Sequence, residues 1–223
     1  MAHTDLEAAL AAALTDRQLL EHPFYQRWQA GELETTELAR YAEQYRHVEA
    51  SLPETLAGIA GALEPGTARD LVSANLSDEL SEPRAHVELF EGFADAFGAG
   101  GSVAATPATA ALIAIYRDAV AKSPIAGLGV LASYECQAAA IASSKADGLR
   151  EHYGAGPEAT EFWDVHATME ADHASWTLEA ITSLAGSSPD DEDTAELASD
   201  GMQLGAAAWW EWLSEREAEH AAA

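Results

Sequence analysis

Apolar residues recur at three- and four-residue spacing along nearly the whole chain, and runs of β-branched residues are scarce. That period lays a continuous apolar stripe along one side of a helix but scatters apolar groups over both faces of a strand, so the fold class is read as all-α. Ala, Leu and Glu, which dominate the sequence, also favour helix intrinsically.

Breakers divide the pattern into a single bundle of about seven helices. The expected spans are Asp5 to Leu20, a second helix opening near Thr35 as its cap, and a third from "EPGTARD" through Phe97. Four more follow: Thr106 to Ala121, Pro124 to about His152, Pro157 to Leu184, and Asp190 to Glu219. Leu38, Tyr41, Tyr45 and Val48 form the stripe of the second helix. "EHPFYQRWQAGELE" reads as a break interrupted by Pro23 and Gly31, "GAGGSVAATP" as a loop, and "GSSPDDEDTAEL" as a loose tether. With 223 residues the chain suits one domain, residues 1–223, with the last helix (about 190–219) packed on the core through Trp209, Trp210 and Trp212.

Charge removes several classes of function. Asp and Glu number 38 against 11 Lys and Arg, a formal charge of −27, so nothing basic is available for nucleic acid or an anionic membrane surface. The acids are spread along the chain and the only lysines are Lys122 and Lys145, a composition suited to a halophile's cytoplasm, where salt screens the self-repulsion. The alanine-rich N-terminal run lacks a basic flank and does not read as a secretory signal. No apolar run approaches the roughly 18 residues of a membrane span, so a cytoplasmic protein is expected. One cysteine, Cys136, rules out an intramolecular disulfide and a cysteine-based zinc site.

The chemistry concentrates in a few stretches. In "HATMEADHASW", His166, Glu170 and His173 are spaced i, i+4, i+7 and share one helix face. Imidazole and carboxylate suit iron, manganese or zinc, although a solvated face on an acidic helix satisfies the same spacing. In "NLSDELSEPRAHVELF", Glu79 and His86 lie seven residues apart, and Pro83, four after Glu79, should distort the helix there. Glu135 in "LASYECQAAAIASSKADGL" sits in a stretch apolar enough to be buried, where a carboxylate is costly unless paired or bound to metal. Three histidines and three carboxylates from three helices are roughly what two metals with a bridging carboxylate require.

In this order these motifs resemble those of the heme-oxygenase-like dimetal oxidases, and within them the family of the chlamydial protein associating with death domains, which includes p-aminobenzoate synthases. The resemblance covers most of the chain, from "LLEHPFYQRWQAGELE" to "HATMEADH". It implies that Glu79, His86, Glu135, His166, Glu170 and His173 are the ligands. Relatives usually carry aspartate at the position of Glu170, so the neighbours Asp172 and Glu82 are alternatives to it. It further implies two irons, or iron with manganese, with dioxygen as co-substrate and an external reductant. Tyr25 would be the sacrificed ring and Lys145 the amine source. Tyr41 and Tyr134 are expected to line the site, relaying electrons or filling space, and Tyr45 is read as packing before site.

A tethered phenol needs no diffusing substrate, and a buried amine is neutral and nucleophilic. Ten residues separate Glu135 from Lys145, about 15 Å along a straight helix, so either the helix bends or Lys145 acts from outside the ligand layer. Three rivals are a related oxidase acting on a free amino acid or fatty acid, a thiaminase-like enzyme using Cys136, and a non-enzymatic interaction module. A homodimer is expected from the aromatic-rich helical surface.

Overall fold

The computed structural model describes residues 3–80, 84–185 and 191–221. Helix α7, Pro124–Tyr153, is the post around which it is built. It contains a stretch long and apolar enough to cross a membrane, longer than the sequence pattern suggested because Gly, Ser and Tyr dilute the run without adding charge. Two-thirds of that stretch (67%) is buried inside the protein, so its apolar length faces other helices.

Before it come α1 (His3–Ala13), a single 3₁₀ turn (Leu19–Glu21), α2 (Pro23–Ala30), α3 (Thr35–Ala62), α4 (Thr67–Glu79), α5 (His86–Ala96) and α6 (Pro107–Lys122). After it come α8 (Pro157–Ala185) and α9 (Asp191–Ala221), so the described residues form nine helices and no strand. The two beyond the expected seven have local causes. The stretch read as a break contains α2: Pro23 opens it, the His22 imidazole accepts from Phe24 N–H at 3.1 Å, and Gly31 ends it in the left-handed region at φ 69°. The expected third helix is two, α4 ending at Glu79 and α5 starting at His86. The sequence has a proline four residues after Glu79, and a proline has no amide to give the carbonyl four back, so a helix gains little by continuing past Glu79. Ser81, Glu82 and Pro83 themselves lie outside the described residues, as does the start of the expected tether at 186–190. Glu34, not Thr35, caps α3, in a reciprocal box with Glu37.

Helices α8 and α9 flank α7. The α7–α9 crossing is close because Gly129 and Gly205 remove side chains from it; a Cβ at Gly129 would meet the Ala198 carbonyl oxygen at 2.2 Å. Trp209 and Trp212 are buried and anchor α9 by donating 2.9 Å bonds to Tyr116 Oη and Thr109 Oγ1, while Trp210 is half-buried against the His22 ring at 4.6 Å. The carboxyl end of α4, the start of α5, and the middles of α3, α7 and α8 then meet around one interior space.

Candidate metal centre

All six residues expected as ligands are buried, none more than 6% exposed. Glu79, the last residue of α4, turns its two oxygens to different histidines: Oε2 is 3.0 Å from His86 Nδ1 and Oε1 is 3.7 Å from His173 Nδ1. Glu170 does the same, with Oε1 3.8 Å from His166 Nε2 and Oε2 3.9 Å from His173 Nδ1. The His86 and His166 rings stand 4.6 Å apart. Glu135, from α7, accepts from Asn75 Nδ2 at 2.7 Å through Oε1. The geometry therefore has two halves, one at His86 and His166, the other at His173 and Glu135, with Glu79 and Glu170 spanning them.

Hydrogen bonds fix which ring nitrogens face inward. His166 Nδ1 is 2.8 Å from the Phe162 carbonyl oxygen, which can only accept, so Nδ1 carries the proton and Nε2 presents its lone pair to the cluster. His173 Nε2 is 3.4 Å from Asp78 Oδ2, a carboxylate that can only accept, so Nε2 carries the proton and the Nδ1 lone pair faces the cluster. Asp172 is exposed and takes no part, and Glu82 lies outside the described residues, so of the acids weighed at that position it is Glu170 that the structure places in the cluster.

A further acid that sequence reasoning missed is here. Glu49 of α3 is buried, and one donor atom each from Glu49, Glu79, His86 and His166 lie within 4.8 Å of one another. Two signals announced it. Glu49 falls one turn beyond Tyr45 on the apolar stripe of α3, where a charge has no business unless it is paired. Pro53 also sits four residues after it, inside the helix, and the sequence has the same spacing between Glu79 and Pro83.

Four carboxylates and three imidazoles thus share one buried volume. Burial, together with Glu135, Glu79 and Glu49, pushes the Glu170 carboxyl well above its ordinary range. Burial also raises Glu135, eased by bonds from Thr177 and Asn75. Burial works to raise Glu79 as well, but the three histidines outweigh it and hold its carboxyl low. Burial drives the His166 imidazole down to about 4, so at neutral pH it is the neutral, ligating form. Glu135 Oε2, Glu170 Oε2 and His86 Nδ1 are buried without a hydrogen-bond partner. His86 Nδ1 lies close to Glu79 Oε2 yet out of hydrogen-bond alignment, as two ligands of one ion would. Seven side chains with ligating atoms, four of them acidic and three with an orphaned atom among the described residues, fit two divalent cations, whose four positive charges equal the acids' four negative ones.

A cavity lined by Tyr45, Glu49, Tyr134, Glu135, His166 and Glu170 opens beside the cluster. Its volume of about 30 Å³ is enough to hold a water-sized molecule. Tyr134 donates to or accepts from Tyr45 at 3.2 Å there. Lys145 and Tyr25 lie apart from the ligands, in an adjoining aromatic box. The Lys145 amine donates to Tyr41 Oη at 2.6 Å, Tyr41 Oη is 3.1 Å from Tyr25 Oη, and the amine sits 4.7 Å from the Tyr25 ring centre and 4.0 Å from that of Trp163. Tyr45 joins the two spaces, lining the cavity while its ring lies 5.1 Å from the Lys145 amine. The separation of Lys145 from Glu135 along α7 is thus resolved by placing the amine outside the ligand layer. Burial, then neighbouring Glu135, pushes the Cys136 thiol up to about 12, which gives a thiaminase-like nucleophile no support.

Fold and cluster together define a class, a heme-oxygenase-like helical bundle enclosing a nest of carboxylates and imidazoles. The fold is similar to that of a CADD-like protein from Nostoc punctiforme, with a TM-score of 0.77 at 17% identity over 96% of this chain and 97% of that one. It is also similar to a heme oxygenase-like domain from Shewanella denitrificans, at 0.74 and 20% over 99% and 94%. A family model described as iron-containing redox enzyme matches residues 39–220, and the chain belongs to that family. Among its relatives are the 4-aminobenzoate synthase of Nitrosomonas europaea, 33% identical over 80% of this chain and 79% of that protein, and that of Chlamydia pneumoniae, 30% identical over 78% and 80%.

Proposed function

We propose that this chain forms 4-aminobenzoate, a folate precursor, from its own side chains, with Tyr25 giving the ring and Lys145 the nitrogen. The relatives carrying that name support the product. The observation that carries the reading here is the buried line from the Lys145 amine through Tyr41 Oη to Tyr25 Oη, one aromatic side chain away from the cluster.

Glu79, His86, Glu135, His166, Glu170 and His173 would hold the metals. Two irons, or iron with manganese, suit these donors and when bound supply redox chemistry on dioxygen, with electrons from an external reductant. Phe162 and Asp78 orient two of the imidazoles for that binding. Burial keeps the Tyr25 phenol protonated far above neutral pH. Burial also lowers the Lys145 amine well below its ordinary value, against the pull of Glu49, so its lone pair is available. The Trp28, Tyr41 and Trp163 rings hold the amine near the Tyr25 ring, supplying the proximity that substrate binding otherwise provides. We place this activity in the cytoplasm, in a homodimer without nucleic-acid or membrane partners, and read the acidic composition as suited to high salt.

The test is to load the protein anaerobically with Fe(II), or Fe(II) and Mn(II), and admit dioxygen with excess reductant. Mass loss in the peptides holding Tyr25 and Lys145, with at most one 4-aminobenzoate per chain, is expected. Intact Tyr25 alongside turnover of an added amino acid or fatty acid would overturn it.

A further inference from the structure

The geometry points to Glu49 as a seventh ligand, bound to the ion that His86 and His166 hold. This rests on the two-metal reading above and extends it to a residue from a helix, α3, that supplies none of the other six.

Glu49 is only 5% exposed, and among the described residues its carboxylate has neither a hydrogen-bond nor an ion-pair partner. A buried carboxylate left so is expensive, and the groups it faces are donors of the same cluster, within 4.8 Å: Glu79, His86 and His166. Among the described residues three other buried atoms there, His86 Nδ1, Glu135 Oε2 and Glu170 Oε2, also lack a hydrogen-bond partner, and one kind of group, a cation, would satisfy imidazole and carboxylate alike.

The division of charge supports the same assignment. Glu79 and Glu170 each reach both halves. Without Glu49 the half at His86 and His166 has no carboxylate of its own, while the half at His173 has Glu135. With Glu49, each half has one carboxylate of its own and two more reach both halves, a charge that would balance one divalent ion in each half. The sequence agrees: "EASLP" and "ELSEP" have a proline four residues after Glu49 and Glu79 alike, and Pro53, inside α3, has no amide to give the Glu49 carbonyl.

The experiment compares wild type, Glu49→Gln and Glu49→Ala, each loaded anaerobically with Fe(II) and, separately, Mn(II). Metal content is measured after dialysis and affinity by competition with a chromophoric chelator. Wild type should hold two ions per chain; both variants should keep one and bind the second at least tenfold more weakly, with metal-free helix content unchanged. Two ions at unaltered affinity in both variants would overturn the assignment. A wild type that takes up no metal would instead sink the two-metal reading itself. If neither variant folds, a crystal structure of the iron-loaded wild type decides: a Glu49 oxygen within about 2.0–2.3 Å of an ion supports the proposal, and one beyond about 3.5 Å removes it.

Discussion

The amine of Lys145 donates a 2.6 Å hydrogen bond to the phenol oxygen of Tyr41, and both groups are buried. Five aromatic rings within 5.7 Å would attract an ammonium there. One hydrogen bond serving a group with three N–H donors does not replace its hydration, however, and burial lowers the amine's pKa well below 10.5. The unfolded chain therefore binds a proton that the folded chain does not, and the stability of the metal-free protein gains from Lys145 as pH rises from its folded value toward 10.5. Lys145→Met, which keeps the volume, should be more stable than wild type at pH 7 by on the order of 1–3 kcal/mol, the gap closing by pH 9.5 in urea unfolding. A less stable variant at pH 7 would mean that the amine is charged and paired.

Tyr41 links amine and ring, so Tyr41→Phe should strand both. Losing the hydroxyl leaves Lys145 and Tyr25 without a mutual partner and costs about 1–2 kcal/mol in thermal unfolding. Metal content should not change, because Tyr41 touches no ligand, while 4-aminobenzoate per chain should fall at least tenfold. Undiminished product would reduce Tyr41 to packing.

Asp78 is a third exposed yet bonded to His173 Nε2, where it sets the tautomer that offers Nδ1 inward. Asp78→Ala should weaken uptake of one ion about 10- to 100-fold without unfolding the protein, as removal of such orienting carboxylates does. Chelator competition reads this directly; wild-type affinity would show that packing alone orients the ring.

The periodicity of three and four made the bundle legible, and the spacing Glu79-x6-His86 and His166-x3-Glu170-x2-His173 made most of the cluster so. What stayed hidden was three-dimensional compensation. Glu49 was hidden as one acid among 38: its place one turn beyond Tyr45 and four before Pro53 was legible, but not that its carboxylate meets Glu79, His86 and His166 from other helices. Asn75, Thr177 and Asp78 carry no spacing signal, because they act across helix pairs. The short α2 escaped because Pro23 and Gly31, read as breakers, are its start and its stop. Lys145 was found by resemblance, but its aromatic box draws on three separate helices, α2, α3 and α8, and could not be read from order along the chain.

The α7–α9 contact should be the fold's least tolerant one. Gly129→Ala would drive a methyl to 2.2 Å from the Ala198 backbone oxygen, which cannot swing aside, so α9 must retreat. Overpacking of this kind costs about 1–3 kcal/mol or more, a fall of several degrees in melting temperature for a chain of this size. Gly61→Ala is the control: nothing lies within 4 Å of its Cβ, and in a helix it should gain up to about 1 kcal/mol. Equal melting temperatures for the two variants would contradict the close crossing.

Metal uptake should release protons and therefore strengthen as pH rises. Carboxylates ligate only when ionised, and in the metal-free protein burial holds Glu170 well above, and Glu135 above, the ordinary range. The sign follows: a bound cation lowers those carboxyls, their protons leave, and affinity climbs about tenfold per pH unit for each proton displaced. His166, down at about 4, is already neutral above pH 6 and contributes nothing to that slope, so the release belongs to the acids. Calorimetric Mn(II) titrations between pH 6 and 8, in two buffers of different ionisation enthalpy, count the protons. Glu170→Gln should lower the count. An affinity independent of pH across that range would mean that the acids are already ionised without metal, and that the charge of the cluster is balanced by some other group.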